Sequence, residues 1–481
     1  MGIFTILGAC YVLLLNPLRS AAMTARTSEP LSAGQSRDLF FFRYLEGLLL
    51  FLFFESRLML FLQTRGIASG WDTAVHLRMI HFWPWDAHVW NIQGEYYAYH
   101  PPLAFFLPRL LFVSGMDIVL SVQVVNAIAS VIGFLFLRAV LKDIGVLRSW
   151  AGLAFLYITS CLPVQIYMAH SVNMDALIYA EACAVLFLSV RLFCESRVQS
   201  QTKKRPALYA TALVLCLATA MLTKYSGLLL TLIPVLTVFF AGHPTLSPKG
   251  RRQLRIACGA CAAALLIVSP YYIGRYVHQT GMVLPTNMDI VRFDKTKIDA
   301  GRSIRDNNRA AFVLNLFSRA PSVPDRIQDR DQKTMRMLNT WKDVWAGSRK
   351  NVRQSPLSLW LSTAEARAAI ILLIAGCASF FLRAHRRSPW DRMGQALILF
   401  SLLQIFSLII FAYHYPHPSG ITNKGLYIAP ALLGFGYLMS CSFTGCGDVK
   451  APRTWRGRGI MIAGLALLGG MMFLNGFLPV Y

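Results

Sequence analysis

The chain has 481 residues, of which 55% are hydrophobic and only 15% charged. A water-soluble chain of this length needs many more charged residues to cover its surface, and apolar runs of about 20 residues recur throughout, each long enough to cross a hydrocarbon core of roughly 30 Å. That excludes a soluble enzyme, a disordered chain and a disulfide-stapled secreted module, and it disfavours an outer-membrane barrel, whose strands would read as short alternating segments. The net charge of +24 does not signal nucleic-acid binding. Its Lys and Arg residues gather in short connections between apolar runs and in one long polar loop, and no nucleic-acid motif accompanies them.

Taken in chain order, hydropathy predicts an all-α, multi-pass membrane protein of eleven spans. They lie near 44–64, 118–138, 151–168, 174–193, 207–223, 226–242, 255–274, 366–384, 394–413, 426–442 and 459–478. Residues 2–15 are apolar but lack a basic flank and a cleavage site, so no signal peptide is expected; Met23 opens a more ordinary polar start. Alternate connections are basic: Arg138, Lys142 and Arg148; Arg191, Arg197 and Lys203 to Arg205; Lys249 to Arg255; Arg383 to Arg392; and Lys450 to Arg458. Five basic connections on one side put the N-terminus in the cytoplasm. The chain divides into a cytoplasmic segment 1–43, a catalytic transmembrane module 44–274 containing an outer loop 65–117, a large extracytoplasmic loop 275–365, and C-terminal helices 366–481. Segment 103–115 is too short to span and carries Pro108 and Arg109, so it is expected as an interfacial helix.

None of the ten cysteines lies in either outer loop, so no external disulfide framework is expected. Cys258 and Cys261 read as buried thiols within a span. The loop 275–365 carries sixteen Lys or Arg residues, suited to an anionic acceptor or to anionic lipid heads. Glu46, Glu55, Arg57 and Glu181 fall within spans, where charge is costly. Glu181 reads as truly intramembrane, either protonated or paired inside the bundle.

The first outer loop departs from the rest of the chain. From Gly70 it reads GWDTAVHLRMIHFWPWDAHVWNIQGEYYAYHPPL, which crowds Asp72, Asp86, His76, His81, His88 and His100 among Trp71, Trp85, Trp90, Tyr97 and other aromatics. Carboxylates serve as general bases or metal ligands, and imidazoles as acids, bases or ligands. The aromatic faces suit either sugar stacking or interfacial anchoring. Asp72 and His76 are four apart and would share one helix face. His100 precedes Pro101 and Pro102, which restrict its backbone and hold its imidazole at a defined place.

The order Asp-x-x-x-His after the first span, then Tyr-x-x-His-Pro-Pro-Leu, resembles integral-membrane glycosyltransferases of the GT-C superfamily, in the dolichyl-phosphate-mannose/aminoarabinose transferase-like group and its lipopolysaccharide sugar transferase relatives. Ser171-Val172-Asn173-Met174-Asp175, Thr223-Lys224-Tyr225-Ser226-Gly227 and Pro270-Tyr271-Tyr272 with Arg275 resemble that group's later elements. Lys424 to Pro430 resembles its Gly-Arg-Tyr-x-x-Pro element, with Leu426 in place of the Arg. The resemblance implies a polyprenyl-phosphate sugar donor at the outer face of a bacterial inner membrane. It also implies an inverting transfer with Asp72 as general base. His76 and His100 join Asp72 as catalytic candidates; Lys224, Arg275 and Arg78 are candidates for the donor phosphate. Asp86, Trp85, Tyr97, Asp175 and Tyr427 are candidates for substrate contact. Lys224 can equally be read as a snorkelling lysine. A divalent metal, Mg or Mn, held by Asp72 with Asp86 or His88, stays open. The acceptor is a glycan, a glycolipid or a protein. A transporter or flippase of lipid-linked sugars would instead show repeated halves and midplane chemistry; a lipid-linked glycan ligase or polymerase would change only the acceptor.

Overall fold

A computed structural model describes residues 33–70, 73–82, 100–195, 204–242, 248–283, 356–382, 388–414 and 425–443, together with Asp306 and Val344. Every regular element among them is helical. In chain order they are α1 (Ala33–Thr64), α2 (Thr73–Phe82), α3 (Leu103–Val113), α4 (Ile118–Asp143), α5 (Trp150–Cys161), α6 (Pro163–Met168), α7 (Asp175–Glu195), α8 (Lys204–Thr223), a 3₁₀ turn Tyr225–Thr231, α9 (Leu232–Gly242), α10 (Pro248–Tyr271), α11 (Pro356–Leu382), α12 (Pro389–His414), a second 3₁₀ turn Gly425–Ala431, and α13 (Leu432–Cys441). α10 runs on through a π-helical turn, Tyr272–Val277, to Thr280.

Five of these helical stretches are long and apolar enough to cross a bilayer: Ile118–Asp143, Pro206–Thr223, Gly250–Thr280, Ala364–Leu382 and Pro389–Phe411. Shorter apolar helices, Trp150–Cys161 and Ile428–Cys441 among them, complete the bundle. The expected spans match described helices from 44–64 through 426–442; the last, 459–478, lies outside the described residues. One span differs. Segment 151–168 is expected as one helix, but Leu162 turns extended at φ −54°, ψ 140° and Pro163 starts a second helix. Proline has no N–H to continue the ladder, and its ring disfavours helical backbone in the residue before it.

α7 is the hub. It packs along α4 and α8 and touches α9, α10 and both 3₁₀ turns. Its flank is small and apolar where helices meet: Ala180, Ala182, Cys183 and Ala184 are buried, which lets backbones approach closely. At one end of the bundle, Arg138 donates to Glu46 at 2.8 Å and Arg191 pairs with Asp143 at 2.5 Å. Glu46 is therefore a paired group at the arginine-rich end.

The opposite end is built on two amides of α4. Gln123 donates to the carbonyls of Thr64 (2.9 Å), Ile67 (3.3 Å) and His170 (3.0 Å), and its oxygen accepts from Gly66 N–H (3.0 Å). One turn on, Asn126 donates to the carbonyls of Ser171 (2.8 Å) and Asn173 (3.0 Å). These bonds hold the end of α1 against the α6–α7 connection. A buried backbone carbonyl needs such a donor where no helix supplies one.

Candidate functional site

Three chain segments meet at this amide-pinned end. The first is the start of α2. Gly70 sits at φ +134°, and a Cβ there would fall 2.8 Å from the carbonyl oxygen of Val172. Only glycine admits that approach. Ser69 O then accepts from Val172 N–H at 2.7 Å, and Thr73 closes the turn by donating to Gly70 O at 2.9 Å. α2 thus leaves the connection at a defined angle.

His76 is buried on the inner face of α2, its Nδ1 lying 3.4 Å from Val172 O. The His100 ring stands edge-on to it, centroids 5.9 Å apart, and Phe105 of α3 touches both, at 6.0 and 6.3 Å. The two candidate imidazoles are therefore brought together. Arg78 is two residues on, about 200° round the helix; it is exposed and lies over the Phe82 ring. The structure places it away from the His76 face. Asp72, Trp85, Asp86 and Tyr97 lie outside the described residues, although Asp72 immediately precedes the first turn of α2 in sequence.

The second segment is the α6–α7 connection. Asn173 accepts from Asp175 N–H at 2.8 Å, which occupies an otherwise orphan donor at the start of α7. Its amide also donates to Ser171 Oγ. Asp175 opens the helix, where the positive end of the peptide dipoles favours a carboxylate. His170, beneath this turn, is buried with neither ring nitrogen hydrogen-bonded to a described group. Burial, reinforced by the Arg57 guanidinium, pushes its imidazole down to about 3, so it is neutral at physiological pH.

The third segment is the end of α8. Lys224 follows its last residue in extended backbone, φ −156°, ψ 150°, and its ammonium pairs with Asp175. Gly227 lets the following 3₁₀ turn lie directly on α8: a Cβ there would fall 2.1 Å from Ala220 O. Tyr225, next to Lys224, meets Tyr276 with centroids 5.6 Å apart. Arg275 is buried in the π-helical turn, donating to Tyr271 Oη at 2.5 Å and lying 5.5 and 5.9 Å over the Tyr271 and Tyr276 rings. Tyr271 and Tyr276 hydroxyls are 3.2 Å apart, and Tyr272 is anchored to Met221 O at 2.7 Å. The wider π turn brings Arg275 and Tyr276 inward together, and such turns recur at functional sites. A guanidinium among phenol rings has the chemistry to hold an anion.

Lys224 pairs with Asp175, the next residue Tyr225 packs on Tyr276 beside Arg275, and His76 reaches the same α6–α7 connection at Val172. Tyr427 lies in the second 3₁₀ turn, which touches α7. Among the described residues no three His, Cys, Asp or Glu side chains cluster to hold a metal. The sequence reading missed Gln123, Asn126 and His170. Its available signal was two amides at i, i+3 inside an apolar span, where polar side chains are expensive and therefore have partners.

No family model matches the sequence, and no curated protein matches it. Solved structures share its fold, and three of them are the following. The oligosaccharyltransferase of Archaeoglobus fulgidus in complex with zinc and sulfate aligns with a TM-score of 0.52 at 13% identity, over 88% of this chain and 53% of that one. The archaeal oligosaccharyltransferase AglB of the same organism, in complex with an inhibitory peptide and a dolichol-phosphate, gives 0.51 at 12%, over 89% and 55%. The Archaeoglobus fulgidus enzyme tethered to an acceptor peptide containing the NVT sequon gives 0.51 at 12%, over 88% and 55%. This chain spans a little over half the length of those proteins. The chain shares the fold of these proteins, and it is the all-helical bundle with membrane-length apolar helices that the sequence leads one to expect.

Proposed function

We propose that this protein is a membrane glycosyltransferase that moves a sugar from a polyprenyl-phosphate donor to an acceptor hydroxyl at the extracytoplasmic face. The single observation that carries the reading is the arrangement of Lys224, Asp175 and the Arg275–tyrosine cluster. It sets two cations, one paired with Asp175 and one among tyrosine rings, at the end of the bundle opposite its arginine-rich pairs. A lipid phosphate lies at that depth when its tail is in the bilayer. The AglB structure with bound dolichol-phosphate supports the same choice of donor chemistry.

In the proposed reaction the acceptor oxygen attacks the anomeric carbon while the bond from that carbon to the phosphate oxygen breaks, inverting the centre. Asp72 takes the acceptor proton. The polyprenyl phosphate leaves with one more negative charge, and Arg275 and Lys224 stabilise that charge in place. Lys224 is already oriented by Asp175, so little reorganisation is needed at the moment of transfer. His76 and His100 orient groups entering beside the start of α2. The donor set that a divalent ion would use is Asp72 with Asp86 or His88, where the metal would supply further neutralisation of phosphate charge; treatment with EDTA followed by Mn²⁺ or Mg²⁺ decides whether transfer needs it.

The test uses the full chain in lipid nanodiscs with a panel of undecaprenyl-phosphate sugars, reading release of undecaprenyl phosphate. Asp72→Asn is expected to abolish release, by 10²-fold or more, with expression and donor binding retained. Substantial turnover by Asp72→Asn would refute the base assignment. No release from any lipid-linked donor by the unmutated chain would refute the function.

A further inference from the structure

We infer that Glu181 is a neutral, protonated carboxylic acid in the folded protein and that it positions Lys224 through Thr223. Glu181 lies on α7 six residues beyond Asp175, about 9 Å along the helix, and it is buried. One of its oxygens is 2.9 Å from Thr223 Oγ1. Thr223 Oγ1 is also 2.9 Å from the carbonyl of Thr219, one turn earlier on α8.

A hydroxyl has one proton to give. If that proton goes to the Thr219 carbonyl, as threonines within helices commonly arrange, the Glu181–Thr223 bond requires the carboxyl group's own proton. Thr223 is then the acceptor. The rest of the surroundings point the same way. The Thr219 side chain also hydrogen-bonds the carboxyl group, but among the described residues its second oxygen has no partner and no Lys, Arg or His pairs with Glu181. The thiol of Cys216, 3.8 Å away, donates to the backbone carbonyl of Glu181 and not to its carboxyl. A carboxylate in this place would be a buried charge with no counter-ion among the described residues, which an apolar bundle does not sustain. Protonation removes that penalty and supplies the donor.

The consequence for the site is geometric. Thr223 is the last residue of α8, and Lys224 follows it at once in extended backbone. Where Thr223 is held decides where the lysine side chain begins. Its ammonium returns to Asp175 on the same helix that carries Glu181. Two contacts six residues apart on α7 thus clamp the 223–224 junction, one neutral and one ionic. Glu181 touches neither sugar nor phosphate in this arrangement, so it is a positioning residue. The effect on donor use rests on the reading of Lys224 proposed above; the protonation state does not.

Two measurements on the full chain in nanodiscs separate these statements. Infrared difference spectra between the unmutated chain and Glu181→Gln near neutral pH should show the carbonyl stretch of a protonated carboxyl, lost in the variant. Loss of carboxylate stretches instead would overturn the assignment. In the transfer assay, Glu181→Gln, whose amide can still donate to Thr223, should keep the donor KM within about two-fold. Glu181→Leu and Thr223→Val should raise it about ten-fold, with kcat changed far less, as expected for one lost buried hydrogen bond at a binding residue. Equal impairment of Glu181→Gln and Glu181→Leu, or normal donor KM in Glu181→Leu and Thr223→Val chains that elute as folded protein, would overturn the positioning role. If Glu181→Leu fails to fold, Thr223→Val and Glu181→Gln still decide the matter. If the unmutated chain uses no lipid-linked donor, the infrared result stands alone and the failure belongs to the proposed function.

Discussion

Asp175 and Lys224 are 49 positions apart in the chain, yet each gives the other its place. A carboxylate at a helix start is favoured by the dipole, and a lysine beside it holds that carboxylate without adding net charge to the surface. If the pair acts as a unit, its members are coupled. Lys224→Ala and Asp175→Asn should each weaken donor binding by roughly ten-fold or more, the usual loss for a charge-assisted bond. The double variant should be scarcely worse than either single one, which a double-mutant cycle on donor affinity measures. Additive losses would mean that the two side chains serve separate ligands. Arg57 shows the other use of a buried cation. It is satisfied by Ser130 Oγ at 2.9 Å and by the carbonyl of Ser160, with the Phe53 ring 3.8 Å away, and its role is to tie α1 to α4 and α5.

At the level of elements, the α6–α7 connection matters most, because everything at the site hangs from it. Gln123 and Asn126 of α4 hold it by three amide donations, to His170, Ser171 and Asn173, while Gln123 also donates to Thr64 and Ile67 at the end of α1. Gln123→Leu keeps the volume and removes the donors, stranding backbone carbonyls at roughly 1–3 kcal/mol for each one left unpaired. The expected result is a clear drop in Tm together with loss of transfer, whereas a leucine at a lipid-facing position would leave both unchanged. The same connection carries a pH liability. The His170 imidazole is held down to about 3 against 6.5 in an unfolded chain. Between those values the unfolded chain binds a proton that the folded chain refuses, so this residue weakens the fold as pH falls through 6.5 and stops adding to the loss below 3. Unfolding followed from about pH 7 down to about pH 5 should therefore show a steeper fall in Tm for the native sequence than for His170→Gln. Equal slopes would show that His170 titrates as freely folded as unfolded.

For the whole molecule the decisive question is which end faces out. The bundle has a clear polarity: arginine pairs at one end, the amide-pinned turns and the Lys224–Asp175 pair at the other. By the positive-inside bias the arginine-rich end is expected in the cytoplasm. Single cysteines introduced in place of the exposed Arg78 and Lys142 into a chain with its native thiols removed should react differently with a membrane-impermeant maleimide on intact cells. Position 78 is expected to label and position 142 to label only after permeabilisation. The reverse pattern would invert the topology and remove the donor side proposed here.

Much of the bundle was legible because bilayer thickness imposes a length on each apolar run. That constraint is local, so α4, α8, α10 and α12 stand where hydropathy puts them. His76, His100, Lys224 and Arg275 were legible as candidates from residue types and order, but that the two imidazoles stand together, and that Arg275 lies inside a continuing helix, were not. The break at Leu162 was signalled by Pro163 but hidden by an otherwise continuous apolar run. What no reading along the chain could supply is contact across it. That Glu181 meets Thr223, that Asp175 takes Lys224, that Gly70 is seated on the Val172 carbonyl, and that one buried glutamine collects three carbonyls from two connections all depend on where distant helices cross. Composition and periodicity determined by themselves that the chain lives in a membrane as a helical bundle, since burial in lipid leaves few other forms. Tertiary packing alone decided which polar groups are partners, because a hydrogen bond or ion pair depends on distances of a few ångströms that sequence separation does not encode.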